Sequence, residues 1–195
     1  MTIKRYFAEA DNTITNAFQE NLTLRGTGSN MGAADILEVF SIYGQATTSS
    51  AELSRVLLQF NVDDISTDRT NGKIPASGKV SFFLKMYNAE HTRTTPRDFR
   101  LTVSAVSQSW QEGSGLDMEN YTDKTLSITG SNWVKRSGSA AWESAGGDYH
   151  ASPTFEAKFQ NGREDMELNV VLDGIDKNIL KCLQRDGRLS QLELA

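Results

Sequence analysis

The sequence predicts an all-β fold: an antiparallel β-sandwich, jelly-roll-like, that ends in a short C-terminal helical tail. Three observations carry this expectation. Apolar residues recur at every second position in segment after segment, polar turn sequences rich in Gly, Asn and Ser separate those segments, and residues 172–195 switch to a helical period.

The early segments "NLTLRG" (21–26) and "ILEVFSIYG" (36–44) have strand propensity. In "RVLLQFNV", Val56, Leu58, Phe60 and Val62 fall on one face and Gln59 and Asn61 on the other, the period of a half-buried strand. "KVSFFLKMY" sets Val80, Phe82, Leu84 and Met86 against Lys79, Ser81 and Lys85. "FRLTVSAV" opposes Phe99, Leu101, Val103 and Ala105 to Arg100, Thr102 and Ser104. Phe155, Ala157 and Phe159 repeat the alternation in "TFEAKFQ", and Met166, Leu168 and Val170 do so in "MELNVVL". The intervening "GTGSNMG", "TDRTNGK", "EGSG", "RSGSA", "SAGGD" and "QNGRED" supply the positive-φ positions that tight turns need. Some seven or eight strands that each hide one face require a second sheet to cover them, hence a sandwich, with a closed barrel as the other packing. The expected division is a β-sandwich domain over 1–171 and a helical tail over 172–195.

In that tail Asp173 can cap a helix, and Ile175, Ile179, Leu180 and Leu183 form one apolar stripe. Gly187 can stop it. Ser190 and Glu193 then form a capping box, S-x-x-E, that would open a second helix.

Composition narrows function. A formal charge of −5 leaves no overall excess of Lys and Arg to neutralise a phosphate backbone, so the expected partners include no nucleic acid. No apolar run is long enough to cross a bilayer, so no membrane partner is expected, and the N-terminal stretch has no signal-peptide core. The one cysteine, Cys182, cannot close an intrachain disulfide. His91 and His150 stand in polar contexts, and neither metal-ligand spacings nor a nucleophile turn occur, so no enzyme is expected. The glycines of "GTGSNMG" lack the spacing of a dinucleotide loop and read as a turn.

Two groups of residues remain as site candidates. Trp110, Trp133 and Trp142 lie at strand ends or in loops, where indoles on a sandwich rim could stack on a glycan; the competing reading is that they plug the ends of the core. Glu112, Asp117 and Glu119, in "EGSGLDMEN", could line an oxygen-rich calcium site, against the plainer reading of solvated loop charges. No other cofactor is implied.

"SRVLLQF", "VSFFLKMYNA", "VSQSWQEGSGLDMENYTD" and "SNWVKRSGSAAWESAGGDY", in that order, together with "AEADNTITNAF" and the "SNMG" turn, resemble the DNRLRE-type β-sandwich family over about residues 5–171. The versions in virion structural proteins of tailed bacteriophages are the most similar. That resemblance implies a non-catalytic virion structural protein, capsid-decorating, neck or tail-associated, held by other virion proteins or copies of itself and assembled in the host cytoplasm. A carbohydrate-binding module or adhesin using the tryptophans is the alternative.

"LDGIDKNILKCLQRDGRLSQLELA" (172–195) resembles the N-terminal segment of leucine-responsive, or feast/famine, transcription regulators, along Leu172, Asp173, Asp176, Ile179, Leu180, Leu183, Gln184, Asp186, Gly187, Arg188, Ser190, Glu193, Leu194 and Ala195. It implies a third reading, a fragment of a DNA-binding regulator, beside that of an ordinary amphipathic tail. A tail foreign to the sandwich would account for a β-rich chain that ends in helix.

Overall fold

The structure is a computed structural model that describes residues 3–19, 21–45, 50–75, 79–89, 98–116, 130–160, 167–172 and 191–194. Its strands are β1 (Ala8–Thr15), β2 (Ser41–Gln45), β3 (Ser50–Phe60), β4 (Phe83–Tyr87), β5 (Asp98–Val106), β6 (Tyr149–Gln160), β7 (Glu167–Val171) and β8 (Gln191–Leu194). One helix, α1 (Val62–Thr70), follows β3. Every strand pair is antiparallel. The main sheet runs β1-β3-β8-β5-β6, β2 pairs with the start of β3, and β4 and β7 form a sheet of their own. None of these sheets closes into a barrel among the described residues.

The period-two residues become the core. Val56 and Leu58 of β3, Val103 and Ala105 of β5, Leu84 of β4, Val170 of β7 and the following Leu172 are buried in one cluster, which therefore joins the main sheet to the β4–β7 pair. Phe155, Ala157 and Phe159 of β6 line its edge while Glu156, Lys158 and Gln160 stay exposed, as alternation requires. Each fully buried Val or Leu contributes about 1.5–3 kcal/mol, so these few positions hold the two layers together.

The other face of the main sheet is covered too. Leu57, Val106 and Ile14 are buried with Trp110, Trp133 and Trp142 in a second cluster. Leu57 and Val106 thus break the simple alternation, because loops close over what would be the wet face of β3 and β5. β1 is polar where it meets this region: Asn12, Thr13 and Thr15 are buried with Ile14, and such groups require partners. Asn12 Nδ2 donates to Ser131 O (3.0 Å) and Oγ (2.8 Å), and its Oδ1 accepts from Met31 N–H (2.9 Å).

Three sequence expectations are corrected. The described helix is internal and not C-terminal: Val62, read as the last inward residue of a strand, opens α1. Asn61 caps it by accepting from the N–H of Asp63 (3.0 Å) and Asp64 (3.4 Å), and both carboxylates sit in the first turn, where the helix dipole favours them. "NLTLRG" is not a strand: Asn21 Oδ1 accepts from the N–H of Thr23 (2.8 Å) and Leu24 (2.9 Å), curling the chain, and a lone bridge joins Phe18 to Arg25. Gln191–Leu194, read as the start of a second helix, is strand β8. The first helix of the expected tail, 173–190, lies outside the described residues.

Candidate nucleic-acid interface

The segment that enters the candidate interface is anchored before it begins. Leu172 is buried in the first cluster, and its N–H donates to Phe82 O (2.9 Å), fixing the exit of β7 beside β4. The segment is described again at β8, between β3 and β5. There Leu194 stands opposite Val56 and Val103, Glu193 opposite Leu57 and Ser104, and Leu192 opposite Leu58 and Ala105. Asp173, Asp176, Lys177, Lys181, Arg185, Asp186 and Arg188 lie outside the described residues.

The three candidate tryptophans come together, but inward. Trp110, Trp133 and Trp142 retain only 8, 7 and 6% of their exposure, so they present no open indole rim. Asn132 organises the turn that carries two of them: its Oδ1 accepts from the N–H of Val134 (3.0 Å) and Lys135 (2.8 Å), and its carbonyl accepts from Trp142 Nε1 (2.8 Å). Arg55 closes the cluster. Its guanidinium lies 5.2 Å from the Trp133 ring and 5.4 Å from the Tyr149 ring, and its Nη1 donates to Gly146 O (2.6 Å). Gly146 adopts φ +95°, and a Cβ there would meet Trp133 Cζ2 at 2.8 Å, so the turn over the indole requires glycine.

Of the calcium candidates, Asp117 and Glu119 lie outside the described residues. Glu112 Oε1 accepts from Asp11 N–H (2.9 Å). Burial pushes the Asp11 carboxyl up, and the neighbouring Glu112 charge adds to this. Among the described residues no group of three or more His, Cys, Asp or Glu is placed to hold a metal ion.

One polar centre escaped the sequence reading. Asp68, on the buried side of α1, pairs with Lys4 Nζ (2.9 Å) and Lys73 Nζ (3.0 Å) and accepts from Tyr6 Oη (3.1 Å). The hydrogen bonds from Lys4 and Lys73 hold its carboxyl down at about 2, against the opposing effect of burial. Burial, and then the bond to Asp68, push the Tyr6 phenol up to about 12. These residues line an open groove of about 490 Å³ with Arg5, Glu9 and Asp64, where cations and carboxylates balance and neither sign of ligand is favoured. The signal was Asn61 followed by Asp63 and Asp64, a helix start that the turn-like "TDRTNGK" masked.

A comparison with protein families matches residues 172–195 to the family described as Winged helix-turn-helix DNA-binding. No curated protein and no solved structure matches the chain. The matched residues are those that resemble the opening of the leucine-responsive regulators. The finding is a DNA-binding family and not a β-sandwich phage family, so it overturns the DNRLRE-type resemblance, and with it the virion structural role, its virion partners and the glycan-binding alternative. The expectation of no nucleic-acid partner is overturned as well. That expectation rested on net charge, −5 for the whole chain and zero for the tail, where Asp173, Asp176, Asp186 and Glu193 match Lys177, Lys181, Arg185 and Arg188; the family match rests on residue pattern and not on charge. The matched family is not catalytic, and the sequence carries no catalytic motif.

Proposed function

We propose that the chain is part of a DNA-binding transcription regulator, in which residues 172–195 supply helix-turn-helix structure and residues 1–171 form an all-β domain packed as a two-layer sandwich. The family match at 172–195 carries the reading. Two features of the sequence support it: Asp173 and the Ser190–Glu193 pair stand where helix starts are needed, and Gly187 lies between them. The cluster shared by β3, β5, β4 and β7 supports the two-layer packing.

In this reading Lys177, Lys181, Arg185 and Arg188 contact phosphates, which position a protein on the duplex without reading sequence. The test is a binding titration of the full chain against labelled random-sequence duplex DNA at a series of salt concentrations. Log K should fall linearly with log salt, with a slope of about −0.9 per phosphate contacted, so no steeper than about −4 for the four cations. Replacing all four with Gln should flatten the slope and remove most of the binding. Unchanged affinity in that variant, or no binding by the intact chain at low salt, would refute the reading.

A further inference from the structure

The described strand β8 and the matched family make opposite demands on the same residues. Gln191–Leu194 sit between β3 and β5, antiparallel to both. In the helix-turn-helix reading they follow Ser190 at the opening of a helix. Extended and helical backbone occupy different regions of φ/ψ space, so these residues adopt one state at a time.

Each state has something in its favour. In the sheet, Leu192 and Leu194 hold register positions in line with Leu58 and Ala105 and with Val56 and Val103, all four of them members of the first core cluster. β8 also supplies a ladder partner to β3 and β5 together, whose facing backbone groups would otherwise lose theirs. Against this, Glu193 takes the register position between Leu57, fully buried, and Ser104, 5% exposed. The same Glu193 is the acidic member of the S-x-x-E box and strengthens the helical state.

We propose that residues 191–194 are a two-state element: seated between β3 and β5 they complete the main sheet, and withdrawn they open the second helix of the DNA-binding unit, so that sheet completion and DNA binding exclude one another. The inference rests on the DNA-binding reading above and adds a means of regulating it. Whatever stabilises the β3–β8–β5 arrangement weakens DNA binding, and DNA weakens that arrangement by the same factor, because the two equilibria are linked.

A reversible lock tests this in one molecule. Gln59 and Gln191 are register partners, and directly opposed antiparallel residues lie about 4.5–5.5 Å apart at Cα, within the range a disulfide spans. The full chain carrying Gln59→Cys, Gln191→Cys and Cys182→Ser is titrated with random-sequence duplex DNA at low salt, oxidised and then reduced. The disulfide should form; the oxidised protein should bind roughly tenfold or more weakly than the same protein reduced, and added DNA should slow its formation. Comparison of the two redox states in one variant removes any general effect of the substitutions on folding. If the disulfide forms and affinity is equal in both states, exclusion is wrong while the DNA-binding reading stands. If the cysteines do not join although the reduced protein binds DNA, β8 is not seated in solution and the proposal is overturned. Absence of binding in the reduced and the unaltered proteins alike would remove the DNA-binding reading itself.

Discussion

Replacing Trp133 with Ala should cost about 4 kcal/mol of stability, and the figure follows from what surrounds the indole. Trp133 is 7% exposed and packs in the cluster of Ile14, Leu57, Val106, Trp110 and Trp142. Truncation of a buried Trp costs about 3–5 kcal/mol, through lost transfer energy and a cavity that neighbours only partly fill. Here Ile14, Leu57 and Val106 belong to paired strands and cannot move far into the space. The Arg55 guanidinium over the ring, at 5.2 Å, contributes about 0.5–1 kcal/mol more. That loss is tempered because Arg55 keeps Gly146 O and the Tyr149 ring. The assay is urea unfolding followed by far-ultraviolet circular dichroism on wild type, Trp133→Ala and Trp133→Phe. The midpoint should drop in the order wild type, Phe, Ala, with the slope against urea unchanged. A loss below about 1 kcal/mol for Trp133→Ala would show that the ring is not part of a packed cluster and would refute the account of this end of the fold.

Asn12→Ala should cost about 2–3 kcal/mol in the same assay, because it removes the donor to Ser131 O and Oγ inside a dry region; Asn12→Asp should cost more, since it sets a carboxylate against a carbonyl. Asp68 has a folded-state pKa below its unfolded one, so the stability it confers is fully present above the ordinary aspartate value of 3.8 and is lost as pH falls through about 2. Urea midpoints measured downward from about pH 5 should converge for wild type and Asp68→Asn, and parallel curves would refute the assignment. Asp11 has the opposite sign: its carboxyl is pushed up, so ionisation costs stability at neutral pH. Asp11→Asn should therefore stabilise the protein at pH 7, with the advantage fading as acid protonates the wild-type group.

Much of the sheet was legible in the sequence, and the residues show why. The alternation at Val56 and Leu58, Leu84 and Met86, Leu101 and Val103, and Phe155 to Phe159 is a local consequence of the two-residue repeat of a strand, so it survives whatever packs against it. α1 was not legible, since only Val62 and Ile65 are apolar in it. Its stability comes from the Asn61 cap and from Asp68 held by Lys4, Tyr6 and Lys73, a partnership that spans more than sixty residues for Tyr6. Residues 172–195 were legible as a resemblance to DNA-binding regulators, which agrees in class with the family match, while charge, −5 overall and balanced within the segment, pointed away from nucleic acid.

By itself the sequence determined the alternating runs of β3, β4, β5 and β6, because a two-residue period depends only on neighbours a few positions apart. Only the tertiary structure decided the rest. It buried Leu57 and Val106 on what a half-wet sheet would expose, turned three tryptophans inward, and joined Asn12 to Ser131 across 119 residues. It also set Gln191–Leu194 between β3 and β5, against their own capping box. The physical reason is common to all of these: a capping box or an alternating run acts within one turn or one strand, whereas covering a face or pairing an edge depends on segments the sequence places far away.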